Sequence, residues 1–133
     1  MNIAVKTHFV GIDVGKSELV LAVHGGHDPL TFANTGDGIA ALTRHLISQQ
    51  HAVQVALEAT GGYEWPVWEA LDTAGLIVRQ VPPAQVRAFA RCCGTRAKTD
   101  RIDAQILAAF CAFRPEAGRS LHDKSLRDLK SPW

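Results

Sequence analysis

Three short apolar, β-prone runs occupy the first 33 residues, and the breaks between them are too short to hold a helix. Phe9–Val14, Leu19–Val23 and Leu30–Ala33 are separated by a turn around Gly15-Lys16-Ser17 and by a stretch that opens with Gly25-Gly26. A parallel return needs a crossover of a dozen or more residues, so these runs can pair only as an antiparallel meander. An all-helical fold and a purely parallel sheet are thereby excluded.

Beyond Ala33 the hydrophobic period changes. Thr35-Gly36-Asp37 offers a helix cap, and Ile39, Leu42, Leu46 and Ile47 recur at helical spacing to about Gln49. Val53–Leu57 alternates and reads as a fourth strand that closes on Glu58, before the break at Gly61-Gly62. Trp65–Ala74 reads as a helix closed by Gly75, and Leu76–Val81 as a fifth strand. Pro82-Pro83 ends that strand and starts a helix to about Arg91, with a loop from Cys92 to Lys98. Asp100–Phe113 reads as the last helix. Ile102, Ile106, Ala109, Phe110 and Phe113 share one face of it, and Pro115 stops it.

The resulting order, β-β-β-α-β-α-β-α-α, predicts an α/β fold with a mixed five-stranded sheet and helices on both faces. The crossover after the third strand should bring the fourth back parallel to the first. This is the element order of the RNase H-like (RuvC-like) class. Residues 1–115 are expected to form one domain. The tail 116–133 is charged, with large apolar residues only at Leu121, Leu126, Leu129 and Trp133, and is expected to begin a further region.

At 47% hydrophobic and 20% charged, the chain has the composition of a globular domain. No apolar run approaches the length of a membrane span, and no secretory leader is legible, so a cytoplasmic protein with no membrane partner is expected. Cys92, Cys93 and Cys111 make a poor disulfide framework and lack zinc-site pairing, so they read as reduced thiols. His24 and His27 flank the Gly25-Gly26 turn and read as loop histidines. From Pro83 onwards there are ten Lys/Arg against five Asp/Glu, which leaves four against eight before it. A basic final third on an acidic remainder hints at a nucleic-acid face.

Four acids stand out. Asp13 interrupts an apolar strand between Ile12 and Val14, where a carboxylate is costly unless it is paired or bound to metal. Glu58 closes the strand expected beside it, although a solvated rim residue is the plainer reading of a lone strand-end Glu. Asp100 and Asp103 are three apart on the expected helix. They read equally as an N-cap with its capping-box partner or as two acids delivered to one site. Clustered carboxylates repel unless a cation neutralises them, and hard oxygen donors suit Mg²⁺ or Mn²⁺. Lys16, Arg96, Lys98 and Arg101 bracket the acids and could hold phosphates. Trp65 and Trp68 read as core, and Tyr63 as the aromatic more able to touch nucleic acid.

Three stretches carry a family resemblance: Gly11-Ile-Asp-Val-Gly-Lys-Ser17, Leu57-Glu-Ala-Thr-Gly-Gly-Tyr63 and Lys98-Thr-Asp-Arg-Ile-Asp-Ala-Gln105. Together they resemble the DEDD transposases of the insertion-sequence 110 family, over about His8 to Pro115. The resemblance implies a RuvC-like catalytic domain in which Asp13, Glu58, Asp100 and Asp103 bind Mg²⁺. It implies action on double-stranded DNA, guided by a structured RNA, in a homo-oligomer. It also implies a second domain with a nucleophilic serine. None of Ser17, Ser48, Ser120, Ser125 or Ser131 has the matching context, so that domain is expected outside these residues, and recombination by this stretch alone is expected to be incomplete.

Other classes are compatible with parts of the sequence. A non-catalytic nucleic-acid-binding or oligomerisation fragment would suit the basic final third, with an apolar patch around Phe110 and Phe113 as its self-association face. A Holliday-junction endonuclease of the RuvC type would share fold and acids. An actin-like phosphotransferase rests on Gly11–Gly15 alone and needs a second lobe, for which the chain is too short.

Overall fold

The structure, a computed structural model, describes residues 6–26, 28–49, 51–58, 60–94 and 102–121. The strands are β1 (Thr7–Val14), β2 (Glu18–Val23), β3 (Leu30–Ala33), β4 (Ala52–Glu58) and β5 (Ile77–Val81). The helices are α1 (Gly36–Ile47), α2 (Trp65–Thr73), α3 (Pro83–Cys92) and α4 (Ala104–Phe113). The strands form one sheet in the order β3-β2-β1-β4-β5. β1, β2 and β3 are antiparallel neighbours, as the short breaks require, while β4 runs parallel to β1 and β5 parallel to β4.

Strand alternation divides the core in two. Val10, Ile12 and Val14 of β1, with Val53, Val55 and Leu57 of β4, pack against Ile39, Leu42 and Leu46 of α1 and Val67, Trp68 and Leu71 of α2. The opposite face carries Ala56 and Val81, covered by Val86 of α3 and by Leu107, Phe110 and Cys111 of α4. A strand buried on both faces reads as a near-continuous apolar run, which is why Phe9–Val14 does so.

Caps and glycines set several boundaries. Thr35 caps α1, its hydroxyl accepting from the Gly38 N–H at 3.1 Å. Gly75, at φ +89°, turns the chain out of α2. α1 stops at Ile47 with Ser48 as its C-cap, two residues short of the expected Gln49. Residues 116–121 cross the β5 edge. Arg119 exchanges both backbone hydrogen bonds with Gln80, at 2.8 and 3.0 Å. Ala117 joins the α3–α4 side of the core and Leu121 the α1–α2 side. The outer edge of the sheet is thus occupied at that point.

α4 differs from expectation in start and in phase. It begins at Ala104, and Asp103 is its N-cap, in an extended conformation with Oδ1 accepting from the Ile106 N–H at 2.9 Å. Its buried residues are Ala104, Leu107, Ala108, Phe110 and Cys111, whereas Phe113 is 64% exposed. Ten residues of which nine are apolar offer no amphipathic phase, so periodicity could not select the face. The strand beneath selects it: a Cβ on Gly11 would collide with the backbone of Ala104 and Ala108 and lie 2.7 Å from Leu107 Cβ. Only glycine permits so close an approach, and α4 turns its small residues toward it. The apolar patch expected at Phe110 and Phe113 is therefore reduced: Phe110 is buried, and Phe113 stacks on Phe89 at 5.0 Å.

Candidate active site

The registers bring two of the four acids side by side. β1 and β4 are paired through Ile12 and Leu57, so Asp13 and Glu58 are the next step along adjacent parallel strands. Neighbouring strands lie about 4.8 Å apart. Gly11 and Ala56 face α4, and alternation carries Asp13 and Glu58 to that same face. Asp13 is 8% exposed, and the Oε2 atom of Glu58 is shut off from solvent.

Gly11 also brings the third acid to this corner. Ala104, the first residue of α4, lies over Gly11, and Asp103 immediately precedes it. Asp13 is two residues further along β1, about 6.6 Å at the usual strand rise. The C-terminal ends of β1 and β4 therefore meet the N-terminus of α4, where backbone N–H groups and the helix dipole favour negative charge. Asp103 uses one oxygen for the cap, and a carboxylate has capacity for further partners.

The donor set consists of hard oxygens, which fits a divalent cation of the Mg²⁺ class. Among the described residues, no three of His, Cys, Asp and Glu converge closely enough to hold an ion as they stand. Asp100, Arg96, Lys98 and Arg101 lie outside the described residues. Lys16 is exposed on the turn after β1, and Tyr63 is 45% exposed on the turn after β4, both at the acid end of the sheet. Trp68 is fully buried and stacks with Trp65 at 5.0 Å, so both tryptophans serve the core.

Two residues that the sequence did not single out organise this corner. Glu64 is 3% exposed. Its Oε1 accepts from the Thr60 N–H at 3.1 Å, the Thr60 hydroxyl at 2.9 Å and the Gly62 N–H at 3.1 Å. Its Oε2 accepts from the Gln80 side chain at 3.0 Å. Asn34 donates from Nδ2 to the carbonyl of Gly15 at 2.8 Å and to that of Tyr63 at 3.2 Å. Glu64 follows a Gly-Gly turn and precedes an apolar helix, a position that hints at a loop anchor. Asn34 carries no local signal, because its partners are 19 and 29 residues away.

A cavity lies elsewhere. A cleft of about 710 Å³ opens near the start of β1 and the end of β2, lined in part by Lys6, His8, Phe9, His24 and His45. Burial, His51 and Lys6 together lower the His8 pKa, which keeps its ring neutral to lower pH. Among the described residues, none of the motif acids lines this cleft. All three cysteines are free: Cys92 and Cys93 exposed, Cys111 buried.

A mixed sheet of this order, helices on both faces and acids at the ends of its two central parallel strands define an RNase H-like domain. A family model described as "Transposase", that of the DEDD insertion-sequence 110 transposases, matches residues 10–131, and the chain belongs to that family. The match continues beyond Pro115, through the segment that crosses β5. The chain is also similar to the pilin gene-inverting proteins of Moraxella lacunata and Moraxella bovis, each 30% identical over 113 residues. The match covers 78% of this chain and 34% of each relative, so the chain spans about a third of the relatives it matches. Among the described residues, no helix is long and apolar enough to cross a membrane.

Proposed function

We propose that this chain is the metal-dependent strand-cleaving domain of a DNA transposase or recombinase that acts in the cytoplasm. The observation that carries the reading is the placement of Asp13 and Glu58 on adjacent parallel strands, facing the N-terminus of α4. Asp13, Glu58 and Asp103, with Asp100, are the ligands proposed for Mg²⁺ or Mn²⁺. Such ions activate a nucleophile and neutralise the leaving oxygen of a phosphodiester. The chain's own residues hold the carboxylates on three rigid elements and exclude water behind them with the α4–β1 packing. Lys16, Arg96, Lys98 and Arg101 are proposed to hold backbone phosphates, which position DNA without reading its sequence. Tyr63 is proposed to stack on a base.

The relatives' name describes proteins that invert a gene, in keeping with a substrate of double-stranded DNA. A structured guide RNA, a homo-oligomer and a serine-bearing second domain complete the proposal. A second reading, nucleic-acid binding without cleavage, is favoured by the excess of Lys/Arg after Pro83. Calorimetric titration with Mn²⁺ tests the metal site on the wild-type chain and on Asp13→Asn. Saturable binding that the substitution abolishes is expected. Equal binding by both chains would remove Asp13 from the site and overturn the reading.

A further inference from the structure

We propose that Asn34 and Glu64 are positioning residues that latch together the loops following Asp13 and Glu58, and so hold the two carboxylates at a fixed spacing. Asp13 is the penultimate residue of β1 and Glu58 the last of β4, and a turn follows each strand. The Gly15–Ser17 turn closes with the Gly15 N–H on the Glu18 carbonyl at 2.8 Å. The 60–63 turn uses Gly61 and Gly62 at φ +78° and +111°, conformations that cost glycine little. Two glycines also leave that turn without intrinsic stiffness, so its shape must be imposed by its partners.

Glu64 imposes it. A carboxylate as buried as this one is tolerated when its lone pairs are filled, and four donors fill them. Three come from the turn itself. The fourth, Gln80, stands on β5 next to Val81, the register partner of Glu58. The turn after Glu58 is thereby tied to the strand beside Glu58.

Asn34 then connects this unit to β1. It follows β3, and its backbone N–H donates to the Ser17 carbonyl at 2.9 Å. Its side chain spends both amide protons on carbonyls, Gly15 in the turn after Asp13 and Tyr63 in the turn after Glu58. Two facing carbonyls require the NH₂ end of the amide, so the donor assignment follows from chemistry. A single side chain at the end of β3 thus bridges the loops that leave the two central strands. Partners of this outer kind typically govern metal affinity without touching the ion.

The consequence for metal rests on the function proposed above, whereas the latch itself does not, and two readouts separate them. Amide hydrogen exchange reads the latch. Asn34→Ala should accelerate the Gly15 and Trp65 amides together, since these close the two bridged turns. Unchanged exchange at both would overturn the latch, whether or not metal binds. Mn²⁺ titration reads its purpose. Asn34→Ala and Glu64→Ala should weaken Mn²⁺ about tenfold or more. Glu64→Gln should bind near the wild-type level, because its oxygen still accepts from Thr60 and Gly62 and Gln80 can turn its own oxygen to the new amide. Leu42→Ala, a core substitution in α1, controls for stability and should lower Tm while leaving Mn²⁺ affinity unchanged. Wild-type affinity in Asn34→Ala, or a parallel loss in Leu42→Ala, would reduce the latch to ordinary stabilisation and overturn its role. Absence of Mn²⁺ binding in the wild-type chain would sink the metal reading, and the exchange data would then decide the latch alone.

Discussion

Asp13 is legible because it interrupts an otherwise apolar strand, where a carboxylate needs compensation, whereas Glu58 only closes its strand and by itself reads as a solvated rim residue. Asp103 is legible only as an alternative, since an acid before an apolar helix serves equally as cap or as ligand, and here it caps. Cys111 shows how burial alone alters chemistry at this scale. It is 3% exposed, and desolvation of the thiolate is the main cause that raises its pKa to about 11. The folded pKa lies above the thiol's ordinary value of 9.0. Its contribution to stability is therefore fully present below about pH 9 and is lost as pH rises toward 11. The stability difference between wild type and Cys111→Ala in urea should narrow by roughly 2 kcal/mol between pH 8 and pH 11. A thiol titration of the native chain should find Cys92 and Cys93 reactive and Cys111 silent until urea is added. A pH-independent stability difference would mean that the thiolate is not desolvated.

At the scale of elements, the strands follow from local pattern and the last helix does not. Alternation and the length of each break dictate β1 to β5 and their pairing, since both are properties of contiguous residues. For α4, both start and buried face are decided by Gly11, more than ninety residues earlier in the chain. Gly11→Ala would force a methyl group into the backbone of α4, and overpacking of this kind costs about 1–3 kcal/mol and sometimes more. We expect a loss at the upper end of that range in urea unfolding, because backbone cannot step aside as a side chain can. Mn²⁺ affinity should fall with it, since the displaced helix carries Asp103. A neutral Gly11→Ala would show that α4 is not seated on β1 as described.

For the whole molecule, charge is segregated along the sequence, with the Lys/Arg excess confined to the part after Pro83. Displacement of counterions from duplex DNA by that part should make binding fall with salt. A log–log slope of about −3 to −5 is expected if three to five phosphates are contacted. A flat salt dependence would remove the basic segment from the interface. The amino-acid sequence by itself determined the meander, the parallel return of β4 and the presence of acids at strand ends. Those features depend on period, break length and residue type, all local quantities. The tertiary structure alone decided which face α4 buries, that Asp103 is the cap of α4, and that Asn34 and Glu64 bind the acid-bearing ends together. The reason is physical: a hydrogen bond or a steric contact depends on distance in space, and these partners come within reach only after the sheet has folded.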